Sequence, residues 1–328
     1  MKCRHCNSEL EFVFLDLGYA PPSNAYLSFD DFSTPSTYFP LKLLVCDQCW
    51  LVQTEDYNNA EELFTNDYAY FSSISKSWLH HSKAYFEIVR ERFALNSNSY
   101  VVEVASNDGY LLKNFVSNNI PCLGIEPTAS TAAVAEGLGV PVIRDFFGSE
   151  LAQKLVIEEK SADLIIGNNV FAHVPDITDF TKGLKMLLNL DGVITLEFPH
   201  LMRLIEHTQF DTAYHEHFSY LSLTAVNSIF KAAGLRVWDV EELNTHGGSL
   251  RVYGCHDESK LKTCSSIDLM LKQELINGLL NINLYLEFQI RAEAVKNDLV
   301  LFLIEQKKYG KSVAAFGAAA KGNTILNF

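Results

Sequence analysis

The chain has 328 residues, 26 basic against 40 acidic, for a formal charge of −14; 48% are hydrophobic and 20% charged. That balance fits an ordinary globular protein with room for two or three domains, and it disfavours nucleic acid as a partner, because a phosphate backbone needs a basic face. No apolar run approaches the roughly 18 residues that cross a bilayer, and the opening Met1 to Cys6 lacks the apolar stretch of a secretory leader. The expected location is therefore a reducing cytoplasm, with no membrane partner.

In chain order, residues 1–72 are rich in Pro, Tyr, Phe and Ser and weak in helical periodicity, which predicts a small irregular domain stapled by a metal. Two pairs, Cys3-x-x-Cys6 and Cys46-x-x-Cys49, carry that expectation. A two-residue gap lets both thiolates of a pair face one tetrahedral ion, and two pairs complete a closed structural zinc site. His5 is read as a neighbour of that site, and Cys122, Cys255 and Cys264 as small buried apolar residues. Residues 73–95, with Trp78, Tyr85, Phe86 and Val89 at helical spacing, predict a connecting helix.

From residue 100 to about 240, short apolar runs alternate with helical patterns. Strands are expected at 100–104, 122–125, 140–143, 164–166, 193–198 and 235–240, and helices near 108–117, 129–137, 149–157 and 177–189. This is the pattern of a doubly wound α/β sheet. At the first strand–turn–helix junction stand Glu103, Ala105, Asn107 and Gly109, and Glu126 ends the second strand, where a carboxylate can accept both ribose hydroxyls. Asp145 and Asn168 follow later strands and can meet an adenine and a methionine moiety. The turn lacks the full glycine fingerprint of a pyrophosphate site. It suits S-adenosylmethionine best, with a nicotinamide cofactor or a plain α/β core as the alternatives.

Tyr214, His215, Glu216 and His217 place a phenol, two imidazoles and a carboxylate side by side between apolar flanks. In a strand, Tyr214 and Glu216 would share one face and His215 and His217 the other; either way proton transfer near neutral pH is feasible. Beyond 241, a strand is expected at 249–253 and one long helical stretch at 266–308. The segment 311–324 reads as a strand, a glycine turn and a helix start, the opening of a further α/β unit with only residues 325–328 to follow.

The cysteine pairs, Val102–Gly109, Gly124–Pro127, Asn168–Pro175, Tyr214–Tyr220, His246–Arg251 and Gly317–Gly322, in this order, resemble the nucleotide-deoxysugar C-methyltransferases. The resemblance covers essentially the whole chain. It implies a zinc domain (1–72), a Rossmann-like adenosylmethionine-dependent methyltransferase domain (73–240) and a C-terminal substrate-binding α/β domain (241–328), incomplete by comparison with the family. It implies a nucleotide-linked 4-keto sugar as substrate, methylated at C3 through an enolate. His217 would then be the base, with Glu216 orienting it, Tyr214 donating to the ketone oxygen and His173 a second base or donor. Tyr68 and Tyr70 would close over the sugar, and His246, Ser249 and Arg251 would face the diphosphate, Arg251 as a bidentate ligand. An O- or N-methyltransferase and a non-catalytic zinc-stabilised scaffold are the competing readings. Oligomeric state is not legible.

Overall fold

The computed structural model describes residues 1–24, 29–55, 70–317 and 320–328; Tyr68 lies outside them. Seven strands form the central sheet in the order β10-β11-β8-β7-β4-β5-β6. They are β4 (Val101–Val104), β5 (Cys122–Ile125), β6 (Val142–Ile143), β7 (Ala162–Asn168), β8 (Leu188–Pro199), β10 (Leu235–Leu243) and β11 (Ser249–His256). β4 to β8 pair in parallel, while β11 runs antiparallel between β8 and β10. The strand expected to open a C-terminal domain is thus an interior strand of the methyltransferase sheet, which draws on residues beyond 240. β6 is shorter than its apolar run suggested.

Strand alternation sends side chains to two helical layers. Val102, Val104 and Ile165 pack with Leu155, Phe180, Leu184 and Phe230, from α4 (Ser149–Ile157), α5 (Ile177–Leu187) and α7 (Leu223–Ala232). Val101, Leu164 and Ile166 pack with Phe86, Val89 and Phe115 on the other face, from α1 (Lys76–Arg92) and α2 (Leu112–Ser117). Side-chain caps start three of these helices: Ser75 on α1, Asp176 on α5 and Ser222 on α7 each accept from a backbone N–H inside the first turn.

The N-terminal sheet has the order β1-β2-β3-β9, with β1 (Phe12–Ala20), β2 (Phe39–Val45), β3 (Val52–Thr54) and β9 (Ser219–Tyr220), all antiparallel. Its fourth strand comes from the methyltransferase region, two residues after the Tyr214–His217 cluster. A third apolar core lies beneath it, joining Phe14, Leu43 and Val52 to Leu204 of α6 (Leu201–Glu206), Tyr285 of α9 (Ile282–Leu286) and Phe288 of α10 (Phe288–Lys308).

The expected single helix 266–308 is three: α8 (Ser265–Ile276), α9 and α10. Gly278 at φ +83 ends the first, and the Asn281 side chain caps the second. Residues 311–316 form no strand; they are exposed and have no ladder partner among the described residues. The closing helix α11 (Ala320–Asn327) folds back onto the molecule, Thr324 Oγ1 donating to the Ala213 carbonyl at 2.7 Å. Among the described residues no helix is long and apolar enough to cross a membrane.

Candidate active site

A cavity of about 640 Å³ opens at the C-terminal ends of the parallel strands, where doubly wound sheets present ligands. Ala105, Asn107, Glu126, Asp145 and Asn168 line one side; Tyr70, His173, Tyr214, Glu216, His217 and His246 line the other.

The first side is built largely from backbone. Ala105 and Asn107 hold left-handed φ of 55° and 49°, a conformation that costs L-residues energy and persists only where the surroundings impose it. Here Glu126 imposes it: one carboxylate oxygen accepts from the Asn107 N–H at 2.8 Å, and the other from the Thr128 N–H at 3.0 Å and the Thr128 hydroxyl. The oxygen facing Asn107 keeps a lone pair for a further donor such as a ribose hydroxyl. Asn168 Oδ1 and Asn169 Oδ1 are buried without a partner among the described residues, an arrangement that calls for a donor from a ligand. The donors and acceptors on this side therefore fit an adenosylmethionine.

Glu103 and Gly109 do not reach the cavity wall. Glu103 shares the α1–α2 face with Val101 while Val104 faces the cavity, and burial pushes its carboxyl well above the usual carboxylate range. Gly109, at φ +73, packs instead: a Cβ there would stand 3.0 Å from that of Ala135, on α3 (Ala129–Gly137).

On the second side, residues 214–217 are not a strand. They form a turn in which the His217 N–H donates to the Tyr214 carbonyl at 3.0 Å, with Phe210, Ala213 and Phe218 buried on its flanks. A turn brings its first and fourth residues to the same side. Tyr214 and His217 accordingly face each other with ring centroids 4.1 Å apart, and His173 meets His217 at 4.6 Å. His215 leaves the cluster, its Nε2 donating to the Pro40 carbonyl at 3.1 Å.

His217 Nδ1 lies 3.0 Å from the Thr212 carbonyl. A carbonyl only accepts, so Nδ1 carries the proton and the basic lone pair is on Nε2. The expected orienting role of Glu216 passes to Thr212; Glu216 Oε1 accepts from Asn24 at 2.5 Å instead. Burial, then the neighbouring His173, hold the His217 pKa well below its ordinary value, and burial lowers that of His173 to about 4. Both imidazoles are neutral at pH 7. Burial, then Glu216, push Tyr214 well above the usual phenol range, so it remains a proton donor.

Arg251 and Ser249 are not at the cavity. β11 is an interior strand, and both side chains are buried in it. The Arg251 guanidinium pairs with Glu197 at 2.8 Å and Glu241 at 2.7 Å and lies over the Tyr85 ring, and Ser249 Oγ donates to the Thr245 carbonyl. His81 joins Glu197 at 2.9 Å. His246 does reach the cavity, its Nε2 3.2 Å from Asn169 Nδ2. Residues not singled out in the sequence also line it: Asn24, Trp78, Tyr110 and Thr212, together with Lys321 of the Gly317–Gly322 motif. Trp78 was visible only as one more apolar position of α1, yet its ring lies 5.4 Å from that of His246.

The four cysteine Sγ atoms lie within 4.8 Å of one another, with Cys3–Cys49 and Cys6–Cys46 both at 3.5 Å. Tetrahedral zinc with bonds of about 2.3 Å sets sulfur separations of about 3.8 Å, so the set fits structural zinc. His5 turns away to Ser228. Arg4, between the first two ligands, donates to the Pro175 carbonyl at 2.7 Å and the Thr54 carbonyl at 3.1 Å, and its guanidinium lies 5.5 Å from the Phe218 ring. Thr54 in turn donates to the His217 carbonyl at 3.4 Å. The zinc knuckle thus supports both histidine-bearing loops from outside the cavity.

Three family models match the chain: a zinc binding domain over residues 3–64, a methyltransferase domain over 78–240 and a C-methyltransferase C-terminal domain over 244–328. The C-methyltransferase NovU of Streptomyces niveus is 32% identical over 325 residues, covering 99% of this chain and 77% of that protein. Similar solved structures include a SAM-dependent methyltransferase from Anabaena variabilis (15% identity, 54% of this chain, 84% of that one, TM-score 0.43). Another is the SAH-bound magnesium protoporphyrin IX methyltransferase of Synechocystis (13% identity, 55% and 84% covered, TM-score 0.43).

Proposed function

The chain belongs to the family of S-adenosylmethionine-dependent C-methyltransferases, and from that premise we propose that it methylates the carbon beside the ketone of a nucleotide-linked 4-keto-deoxysugar, at C3. One observation supports this above the others. The neutral imidazole of His217 has its Nδ1 proton committed to Thr212, which leaves Nε2 as a base in the same cavity as the adenosylmethionine turn.

Bound adenosylmethionine supplies an electrophilic methyl group on a sulfonium. Glu126, Asn107 and Asn168 hold and orient it. His217 Nε2 takes the proton from the carbon next to the ketone, and the bonding pair moves through that carbon to the ketone oxygen. Tyr214, kept as a phenol, donates a hydrogen bond to that oxygen as it gains charge. His173 packs against the edge of the base and fixes its ring plane. His246 and Tyr70 stand on the acceptor side, where the sugar nucleotide would lie. The Trp78 indole and the aromatic residues around Asp145 exclude water from the rest of the cavity.

The test uses methyl-labelled adenosylmethionine with a panel of nucleotide 4-keto-6-deoxysugars. Label is expected on a carbon that also exchanges its hydrogen with deuterated solvent. His217→Ala should lower kcat by about 10²- to 10⁴-fold while donor affinity measured by calorimetry stays within about twofold. Label on oxygen or nitrogen would replace the reading with O- or N-methyl transfer, and label on no acceptor would point to the non-catalytic scaffold.

A further inference from the structure

Lys321 stands out from the rest of the cavity wall. Five carboxylate residues line the cavity, Glu126, Asp145, Asp176, Asp179 and Glu216, and among the described residues Lys321 is the one lysine or arginine there. It forms no ion pair or hydrogen bond among the described residues, whereas the other cations near the fold centre, Arg4 and Arg251, are engaged. A lone ammonium facing a cavity in a chain of charge −14 calls for an anion from a ligand.

Its position is set by α11. Thr324, one helical turn on and therefore on the same face, is tied to the carbonyl of Ala213, the residue before Tyr214. Asn323 holds the Pro21 carbonyl, and the Phe328 ring packs on Phe210 at 5.4 Å. The helix is thereby fixed to the segment that carries the phenol and the base, and Lys321 lines the cavity beside them. The charge of Lys321 also acts on His217 and His246 together, disfavouring the protonated form of each.

We propose that Lys321 is a further catalytic residue, placed to compensate the negative charge that develops on the acceptor oxygen when His217 removes the neighbouring proton. This rests on the enolate reading above. In the step, the C–H proton goes to His217 Nε2 and the bonding pair becomes the carbon–carbon double bond of the enolate. The former carbonyl pair settles on oxygen, against the Tyr214 hydroxyl and the Lys321 ammonium. In the transfer that follows, the carbonyl would re-form as the carbon–carbon pair makes the new C–CH3 bond, and the S–CH3 bonding pair would leave on sulfur as S-adenosylhomocysteine.

The experiment compares wild type with Lys321→Met and Lys321→Arg. Deuterium uptake from solvent into a nucleotide 4-keto-6-deoxysugar is followed by mass spectrometry with S-adenosylhomocysteine bound, so that no methyl is transferred. Affinity for thymidine diphosphate and for uridine diphosphate is measured by calorimetry, and circular dichroism confirms the fold. Lys321→Met should slow both exchange and kcat by about 10²-fold with diphosphate affinity within about twofold, and Lys321→Arg should recover part of the loss. Exchange at the wild-type rate in Lys321→Met would overturn the proposal. So would a loss of diphosphate affinity with exchange at saturation unchanged, which would make Lys321 a phosphate anchor. If wild type itself neither exchanges nor methylates carbon, the enolate reading falls and takes this one with it; if wild type does both, only the role of Lys321 is in question.

Discussion

Along the side of the cavity assigned to the methyl donor, Ala105, Asn107, Glu126 and Asn168 stand at the ends of adjacent parallel strands, and their positions follow from the sheet. Along the acceptor side, His173, the Tyr214–His217 turn, His246 and Lys321 come from four separate segments, each fixed by contacts outside the sheet. The first side is a property of one strand–turn pattern. The second is an assembly. It depends on the zinc knuckle through Arg4 and Thr54, on the closing helix through Thr324, and on β9 being captured by the N-terminal sheet. A binding function can sit on a repeated local motif, whereas proton transfer needs groups from several directions around one atom.

The comparison can be broken most directly at Arg251. As an interior ion-pair partner rather than a diphosphate ligand, its replacement in Arg251→Met leaves Glu197 buried without the arginine counter-charge, with His81 and Thr245 as its remaining side-chain partners. The expected cost is about 3–5 kcal/mol of stability, a fall of about 10 °C in Tm, while KM for the acceptor stays within about twofold in the folded fraction. A large rise in that KM with unchanged Tm would restore the diphosphate role. At Glu126 the expected effect is next in size. Glu126→Ala should weaken adenosylmethionine binding by about 10- to 100-fold through the lost charged hydrogen bonds, and leave kcat at saturating donor within about threefold; an equal loss in both would mean that the two sides are not separable.

Arg4 sharpens the comparison from the other direction. Arg4→Ala keeps all four thiols, so zinc content by mass spectrometry should not change, yet kcat should fall by about 10-fold through small displacements of the His173 and His217 loops. Donor affinity should hold. A loss of donor affinity instead would show that the knuckle serves the whole cavity. The smallest expected effect is in the pH profile. The base must be neutral to act, and burial together with His173 lowers its folded pKa. Activity therefore persists as pH falls below the ordinary histidine value of about 6.5, and is lost only as pH drops through the lower folded value. An acid limb of kcat/KM at or above 6.5 would contradict the buried, neutral His217.

The strands from Val101 to Phe198 were legible because parallel strands buried on both faces are written as unbroken apolar runs. The cysteine quartet was legible because ligand geometry fixes spacing. Reading Tyr214–His217 as a cluster holds for three of its four members; His215 leaves it because these residues form a turn, closed by the His217 N–H to Tyr214 carbonyl bond, which spacing alone does not show. Arg251 was misplaced because a charged residue on a strand reads as a surface or ligand group until its strand is seen between two others. Trp78 was out of reach, since nothing local distinguishes a helix residue that faces a cavity from one that faces a core, and Lys321, though inside the Gly317–Gly322 motif, carried no local sign of its role.

By itself the sequence determined the cysteine quartet, the alternating α/β plan and the strand-end residues Ala105, Asn107, Glu126 and Asn168 that line the cavity, because each depends on residues close together in the chain. The tertiary structure alone decided which nitrogen of His217 carries a lone pair, that Thr212 rather than Glu216 orients it, that β11 is interior, and that a lysine from the last helix lines the same cavity. These depend on packing between segments far apart in sequence, where burial and a single hydrogen-bond partner set the chemistry of a side chain and no spacing rule records it.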